Sequence, residues 1–296
     1  VDQMRNLLTA NFARLWRNRL FWLIEAGIFV WGCVVYFLMK INVRNGYLFE
    51  YGNTYFFNQM TFVGITLACL CSFFIGTEYS DGTMRNKLAV GHSRKTVYLA
   101  NLITVVCAGF AQFAIYLLAA LTVGVALMGD VVWSSLYRPA ESFALAFLSI
   151  CASAAIAVFL AMVIIDKSKA IFVNVILSVL LLAAGASAVK GLMQPETTQR
   201  IYVLETGEYK LASEENLYTE ELLKAEEVPN PRYLRGLERQ VYVCISAVLP
   251  TSQALVCSIE EEFFDRFSVL NVLGTLLFVG AVSGGGMILF MRRDIK

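Results

Sequence analysis

Long stretches without charged residues recur along this chain and limit what it can fold into. Five stretches carry no charge at all, and a sixth, at residues 20–39, is interrupted only by Glu25. Because a helix needs about 20 mostly apolar residues to cross a bilayer, we predict an all-α integral membrane protein with six transmembrane helices. The 16% share of charged residues agrees, since soluble domains carry about 25%. The five uncharged stretches are residues 56–77, 96–129, 142–165, 170–189 and 267–291.

The apolar stretches divide the chain into four parts. A polar N-terminal segment, residues 1–19, precedes five predicted spans at residues 20–189. A long polar loop at residues 190–266 then leads to the last span and a basic tail at residues 267–296. The third stretch is longer than one crossing requires, so we expect its helix to extend beyond the bilayer, tilt, or break near Gly109 or Gly124.

The lysines and arginines beside the short loops predict the orientation. Thirteen lie on one side, whereas only Lys40, Arg44 and Arg138 lie on the other. In membrane proteins the cytoplasmic loops carry the excess of positive charge. Both termini and the loop at residues 78–95 are therefore expected in the cytoplasm. Residues 190–266 form a loop that is long enough to be largely exempt from this charge rule. The thirteen are Arg5, Arg14, Arg17, Arg19, Arg85, Lys87, Arg94, Lys95, Lys167, Lys169, Arg292, Arg293 and Lys296.

Residues 1–19 are predicted to form an amphipathic helix on the cytoplasmic surface of the membrane. Apolar side chains recur at helical spacing and polar ones occupy the other face, a pattern typical of interfacial helices near anionic lipid. Such a helix is either a passive anchor or a lever that transmits motion into the first span. The apolar positions are Met4, Leu7, Leu8, Phe12, Leu15 and Trp16, opposite Arg5, Asn6, Arg14, Arg17 and Asn18.

The loop at residues 190–266 is acidic, with fourteen acidic and eight basic residues. Short β-type segments on either side of Thr206-Gly207 predict a hairpin. A helix is predicted to start at Ser213 and to end before Pro229. The acidic loop is either a solvated cap or a receptor or gate for a cationic substrate.

Residues 241–257 are apolar but shorter than a typical span, and Pro250 interrupts them. A seventh crossing would move the basic C-terminus to the outer side. We therefore predict a re-entrant or interfacial helical hairpin that is broken at Pro250 and sheltered by the bundle. Cys244 and Cys257 both fall on the outer side. They either form a disulfide in an oxidising compartment or pack as small apolar residues.

A charged segment at residues 78–95 separates the second and third apolar stretches. Ser80 or Asp81 can cap a short helix there, which a following glycine ends. Met84 and Leu88 lie four residues apart and share one face of that helix. Because charged residues surround this apolar pair, we predict that it inserts into a groove on a partner protein.

The order and spacing of Glu78, Gly82-Thr83 and Ser93-Arg94 resemble those in the membrane subunits of type-2 ATP-binding-cassette exporters. The six spans, the cytoplasmic termini, the N-terminal surface helix and the large outer loop are similar too, so the resemblance covers nearly the whole chain. Residues 233–236 (Tyr-Leu-Arg-Gly) and 249–254 (Leu-Pro-Thr-Ser-Gln-Ala) resemble a segment of permeases for bacteriocins, lantibiotics and small peptide toxins.

The resemblance implies that residues 78–95 contain a coupling helix that docks on a separate cytoplasmic ATPase subunit. The chain has no Gly-x-x-x-x-Gly-Lys-Ser/Thr motif to bind a nucleotide phosphate. We therefore expect no enzyme activity or cofactor of its own and assign ATP and Mg²⁺ to the partner. One departure is Gly91-His92, where the family often has proline. The expected coupling residues are Glu78, Asp81, Gly82, Thr83, Met84, Arg85, Lys87, Leu88, His92 and Arg94.

The resemblance also implies that two permease copies, expected to be identical, assemble with two ATPases in the bacterial cytoplasmic membrane. The second and fifth spans would meet their copies across a two-fold axis and form the export path for a hydrophobic or amphipathic peptide, with no nucleic acid involved. Small residues in the fifth span suit close helix contact, although phenylalanines in spans more often face lipid or the core. The expected path and interface residues are Phe62, Phe73, Phe74, Asn174, Ser178 and Gly185.

Glu25 is a carboxylate inside the first span, which makes it a candidate functional residue. Its side chain either extends to the cytoplasmic interface or holds an arginine of the coupling region. His92 is the only histidine, so no histidine-based metal cluster or Ser-His-Asp triad is expected. Two rival functions stay open: export of a drug or lipid-linked glycan, and a membrane sensor whose acidic outer loop binds a cationic peptide.

Overall fold

Helices dominate the computed structural model, which describes residues 2–45, 53–129, 136, 139–203, 208–211, 222–256 and 261–293. The helices are α1 (Asp2–Trp16), α2 (Arg19–Arg44), α3 (Asn53–Phe56), α4 (Asn58–Ser80), α5 (Thr83–Ala89), α6 (Arg94–Ala119), α7 (Val125–Met128), α8 (Pro139–Val163), α9 (Lys167–Leu192), α10 (Gly236–Val248), α11 (Pro250–Val256) and α12 (Glu261–Arg292). Within the described residues, six stretches are long and apolar enough to cross a membrane, as predicted. They are α2, α3 with α4, α6 through α7, α8, α9 and the greater part of α12.

Capping side chains explain where three of the long helices begin. Asn18, Ser93 and Asp166 have extended backbones and stand directly before α2, α6 and α9. Each side chain accepts a hydrogen bond from a backbone N–H two or three residues further on, at 2.9 to 3.1 Å. These bonds satisfy N–H groups that have no partner within the helix. The basic and polar segments between the apolar stretches therefore define the helix starts.

The third span is not a uniform α-helix, because residues Ala120–Gly124 form a π-helical turn between α6 and α7. The helix does not break at either glycine: it continues through Gly109, and near Gly124 it changes to π-helical geometry without ending. Both glycines lie at helix contacts. A Cβ atom on Gly124 would stand 3.0 Å from the Tyr36 ring, and one on Gly109 would stand 2.6 Å from Ile150 Cγ2. Close packing against neighbouring helices therefore requires glycine at both positions.

Helices α4 and α8 form the centre of the bundle. The buried share of the apolar window is 67% in α8 and 56% in the second span, but only 22% in α9 and 11% in α12. Helix α8 packs against α4, α6, α11 and α12. Its many alanines are buried, and small side chains allow helix backbones to approach closely. The outer sides of α9 and α12 instead carry large apolar side chains, including Phe172, Leu180 and Leu277.

A three-stranded antiparallel sheet interrupts the helical chain after α9. Its strands are β1 (Thr197–Val203), β2 (Glu208–Leu211) and β3 (Leu222–Pro229), in the spatial order β2-β1-β3. The pairing of β1 with β2 confirms the predicted hairpin. Central strand β1 therefore holds the sheet together.

The helix predicted between Ser213 and Pro229 is wrong in its second half. Residues 222–229 form a strand in which Val228 lies opposite Thr198 of β1. Leucine, lysine, alanine and glutamate favour helix locally, but hydrogen bonds to a neighbouring strand override this weak preference. The first half, residues 212–221, lies outside the described residues. The fold is thus predominantly helical rather than all-α.

Helices α10 and α11 form the predicted helical pair with its break at Pro250. Leu249 between them is extended, because the residue before a proline is disfavoured from helical geometry. Helix α11 is buried and packs against α4, α8 and α9. Ser149 donates to the Pro250 carbonyl at 2.9 Å, and Thr251 donates to the Leu181 carbonyl at 2.6 Å. The bundle therefore shelters α11 through both apolar packing and hydrogen bonds.

Four predicted features fall on residues outside the described part of the chain. They are Arg138, Lys296, the hairpin turn at Thr206-Gly207, and Cys257. The disulfide between Cys244 and Cys257 therefore stays a prediction. Cys244 itself is exposed on α10.

Candidate functional site

One buried carboxylate joins three segments at the end of the bundle where α1 and α5 lie. Glu78 is in the last turn of α4, and its residue is only 1% exposed. Its Oε1 atom lies 2.5 Å from Arg14 Nη1 of α1 and 2.5 Å from Lys87 Nζ of α5. A charge is buried at tolerable cost only when it is paired. Glu78 therefore ties the N-terminal helix and the short helix α5 to the second span.

Hydrogen bonds extend this ion pair deeper into the bundle. Lys87 Nζ donates to Asn11 Oδ1 at 3.0 Å, and Asn11 Nδ2 donates to Asn101 Oδ1 at 2.8 Å. Both asparagines are buried. Asn101 lies in α6, so the polar chain reaches from α5 through α1 to the third span. We call Asn11, Arg14, Glu78, Lys87 and Asn101 the Glu78 cluster.

Arg14 makes a second contact with α4. Its guanidinium lies over the Phe74 ring, 3.7 Å from the ring centroid. Phe74 is one turn before Glu78 on α4, so both residues hold Arg14 on the same side of that helix. A cation over an aromatic face adds about 0.5 to 2 kcal/mol, depending on how dry the site is. The contact fixes the rotation of α1 against α4.

Burial changes the electrostatic surroundings of Lys87. Its removal from water lowers the pKa of the ammonium group, and the Glu78 carboxylate opposes that shift. Arg14 adds a weaker lowering influence. One carboxylate thus faces two cations, so the cluster carries a net positive charge. Loss of Glu78 would leave both cations without their counter-ion.

The sequence places Arg14 on the polar face of α1, near anionic lipid, but in the structure its guanidinium binds Glu78 of the bundle. Leu7, Asn11 and Leu15 lie on the buried face of α1, which packs on α6. Arg14 borders this face and turns toward Glu78. The spacing of four residues between Leu7, Asn11 and Leu15 was the available signal, because it places a polar Asn11 in line with the apolar side chains.

Helix α5 directs its apolar pair inward. Met84 is 1% exposed and belongs to the core, and Leu88 packs against that core. The prediction that these two side chains insert into a partner is therefore wrong, because the bundle itself supplies the groove. Gly82 has φ of 68°, a left-handed conformation that suits glycine and reverses the chain between α4 and α5.

The outward side of α5 and the turn after it carries different residues. Val90 is 80% exposed, and Arg85, Asn86 and Ala89 are exposed beside it. Asp81 is exposed at the end of α4, while Thr83 is half-buried. These side chains form the surface available to a partner at this end. We call Arg85, Asn86, Ala89 and Val90 the α5 outer face.

The remaining predicted coupling residues face their own chain. Arg94 Nη1 donates to the carbonyls of Phe290 and Met291 at 3.1 and 3.2 Å, and to that of Arg293. It therefore caps the C-terminal end of α12. His92 is half-buried, and its Nδ1 atom has no hydrogen-bond partner among the described residues.

Most of the predicted path and interface residues lie inside the single-chain bundle. Asn174 Nδ2 donates to Ser72 Oγ at 2.8 Å and to the Ala157 carbonyl at 3.0 Å, and Ser178 donates to the Asn174 carbonyl. Gly185 is buried against α11. Together with Phe74, these residues are buried within the single chain and leave no surface there for a second copy, while their expected place along an export path stays a prediction.

The other two predicted path residues are partly accessible. The Phe73 ring lies under Lys167, whose Nζ is 3.6 Å from the ring centroid. Phe62 is exposed and packs edge-on against Trp31 of α2, with the ring centroids 5.7 Å apart. Contacts within the chain thus orient both rings. Neither contact shows an export path.

Glu25 is buried on the face of α2 that packs against α6, and it is 3% exposed. Among the described residues neither carboxylate oxygen has a hydrogen-bond partner. Extension to the interface and pairing with an arginine, the two roles predicted from the sequence, are therefore both wrong. The two arginines of the expected coupling segment lie elsewhere, since Arg94 binds carbonyls of α12 and Arg85 is exposed.

Within the described residues no group of three or more histidine, cysteine, aspartate or glutamate side chains converges to hold a metal ion. The Glu78 cluster contains two cations, a carboxylate and two amides, which hold helices together. No family model and no curated protein matches this chain.

Proposed function

We propose that this chain is the permease subunit of a type-2 ATP-binding-cassette exporter. With a separate ATPase it would export hydrophobic or amphipathic peptides across the bacterial cytoplasmic membrane. One observation carries the proposal: α5 is a short helix between two spans that is held rigidly on its inner face and exposed on its outer face. This is the arrangement that a docking element for a cytoplasmic motor requires.

The inner face of α5 supports force transmission. Lys87 connects α5 to α4 through Glu78, and to α1 through Asn11. Met84 packs into the core beneath. A displacement of α5 would therefore move the end of the second span, because apolar packing and a buried ion pair allow little independent movement of the two helices.

The outer face of α5 supports docking. Val90 gives an exposed apolar contact, and Arg85 and Asn86 can donate hydrogen bonds around it. A short helix with an apolar centre and a polar rim suits a groove on a partner. In this proposal the ATPase contacts the α5 outer face, and the charge cluster behind it stays within the permease.

At the opposite end, α10 and α11 would form a re-entrant hairpin on the outer side of the membrane. Helix α11 is buried among α4, α8 and α9, which supports a plug between the spans. The sheet of β1, β2 and β3 immediately precedes this pair along the chain. The hairpin and the sheet would together close the outer end of an export path.

Co-purification with an ATPase tests the proposal. The subunit would be identified by mass spectrometry of complexes purified from native membranes. Val90→Asp combined with Arg85→Glu should lower the amount of bound ATPase at least tenfold, about 1.4 kcal/mol in affinity. The matched control is Leu237→Asp, because Leu237 on α10 is 78% exposed and lies far along the chain from α5.

Normal ATPase recovery with the double variant would contradict docking through α5. A second experiment addresses transport itself. Membrane vesicles that contain the permease and its ATPase should accumulate peptide only when ATP is supplied. Peptide binding without ATP-dependent accumulation would instead favour a membrane sensor.

A further inference from the structure

The two buried carboxylates of the spans stand in opposite environments. Glu78 lies against two cations. Glu25 is equally buried, yet both of its oxygens lack a hydrogen-bond partner among the described residues. An isolated ionised carboxylate in an apolar interior is so costly that the group takes up a proton instead. The surroundings of Glu25 therefore decide its protonation state.

Contacts between α2 and α6 fix the depth of Glu25. A Cβ atom on Gly32 would contact Ala119, and Lys40 Nζ donates to the Leu127 carbonyl at 2.9 Å. The two residues of each pair are separated by the same number of positions in the sequence. The two helices therefore run parallel, and residues with that separation lie at the same depth. Glu25 precedes Gly32 by seven residues, and Gln112 precedes Ala119 by seven. Glu25 and Gln112 therefore lie at one depth of the bundle.

Gln112 is itself incompletely bonded. It is fully buried, and its Oε1 accepts a hydrogen bond from Thr66 of α4 at 2.8 Å. Its Nε2 atom has no partner among the described residues. An unpaired amide donor thus lies at the depth of an unpaired carboxylate, where α2, α4 and α6 pack together.

Two further unpaired polar groups continue toward α3 and α7. Gln59 of α4 lies seven residues from Thr66, two helical turns along the same face, and its buried Nε2 has no partner in the described structure. The Tyr36 hydroxyl of α2 is likewise buried and unpaired there. From Glu25 to Tyr36 the groups extend over about 16 Å at 1.5 Å per residue.

We propose that Glu25 holds a bound proton at the base of a hydrated polar column formed by α2, α4 and α6. Gln112, Gln59 and Tyr36 line the column. Buried polar atoms without protein partners are normally satisfied by internal water. Ionisable residues inside spans typically mark ion pathways or proton relays. The site rests on this geometry alone and stands whether or not the chain exports peptides.

Infrared spectroscopy of the full chain in lipid bilayers at neutral pH tests the bound proton. The wild-type protein should show the carbonyl band of one protonated carboxylic acid per chain. Glu25→Gln, which has nearly the same shape, should lose that band completely. Glu238→Gln is the control, because this carboxylate of α10 is exposed to solvent and its loss should leave the acid band unchanged. Identical spectra for wild type and Glu25→Gln would overturn the proposal.

Two variations of the experiment test the rest of the site. In heavy water the acid band should shift within minutes, and Tyr36→Phe should slow the shift at least several-fold without lowering thermal stability. If the acid band of Tyr36→Phe shifted as fast as that of the wild type, the proposal of a hydrated column would be overturned. Replacement of choline by sodium in the buffer should leave the band intact. Loss of the band in sodium would overturn the proton site in favour of a site for a monovalent metal cation.

Discussion

At the scale of single residues, Glu78 is the group on which the most contacts depend. Its carboxylate is fully buried, while Arg14 is about a third exposed and Lys87 is mostly buried. A buried ion pair adds little net stability compared with apolar packing, but removal of one partner is costly because a buried charge is left unpaired. Here one substitution would leave two cations unpaired.

We expect Glu78→Gln to lower the free energy of unfolding by about 2 to 3 kcal/mol, the lower end for a broken buried pair because Arg14 is partly solvated. The midpoint of thermal unfolding in detergent measures this loss. Lys87→Met should cost less, since Arg14 still neutralises Glu78. The exposed control Glu238→Gln should unfold at the wild-type midpoint.

A double-mutant cycle separates this pair from general disruption. Arg14→Met and Glu78→Gln together should cost clearly less than the sum of the two single changes, with a coupling of about 1 kcal/mol or more. Simple additivity would show that the short contact between Arg14 and Glu78 contributes no stability.

At the scale of elements, the close approach of α9 and α11 depends on a missing side chain. A Cβ atom on Gly185 would stand 2.5 Å from Thr251 Oγ1 and 2.9 Å from the backbone nitrogen of Ser252. Both contacts involve the buried, hydrogen-bonded start of α11, which has no space into which to move. The glycine is therefore a packing requirement of the helical pair.

We expect Gly185→Ala to destabilise the protein by about 1 to 3 kcal/mol through overpacking, as measured by thermal unfolding in detergent. Gly280→Ala is the control, since a Cβ atom on Gly280 of α12 meets nothing within 4 Å among the described residues. An equal loss in both variants would show that helix contact at Gly185 is not the cause.

Arg94 links the start of α6 to the end of α12. Its guanidinium donates to the carbonyls of Phe290 and Met291 in the last turn of α12, where carbonyls lack the N–H partners that a continuing helix would supply. We expect Arg94→Leu to raise amide hydrogen exchange in residues 288–293 at least tenfold while the centre of α12 stays protected. Lys95→Leu, at the exposed neighbouring position, should leave exchange unchanged. Equal protection in Arg94→Leu and wild type would contradict the capping role.

At the scale of the whole molecule, α4 and α8 form a central pair around which the other spans pack. The Glu78 cluster lies at one end of this pair. The sheet and then α11 follow the C-terminal end of α9 along the chain. The two ends of the bundle therefore carry different structures, and the charge bias of the short loops predicts that the first faces the cytoplasm.

Cysteine labelling tests that orientation in a variant whose native cysteines are replaced by serine. Asn86→Cys, on the α5 outer face, should react with a membrane-impermeant maleimide only after cells are permeabilised. Arg232→Cys, in the exposed segment between β3 and α10, should react in intact cells. Reaction of both positions from the same side would contradict the six-span orientation.

The sequence of α5 predicts the helix but not which of its faces is buried. The spacing of Met84 and Leu88 correctly places them on one face of a short helix, but charged neighbours made that face look available to a partner. The tertiary structure turns it into the core. Val90, 80% exposed just after the helix, has no periodic neighbours to mark it in the sequence.

Sequence alone predicts the number of apolar helices, the first hairpin of the sheet and the helix break at Pro250. These features depend on local length, glycine and proline, which act over a few residues of chain. The tertiary structure alone decided that Glu78 pairs with Arg14 and Lys87, that Glu25 pairs with no described residue, and that residues 222–229 form a strand. The physical reason is that partners for buried charges and strands come from distant parts of the chain, and spacing along one helix does not encode them.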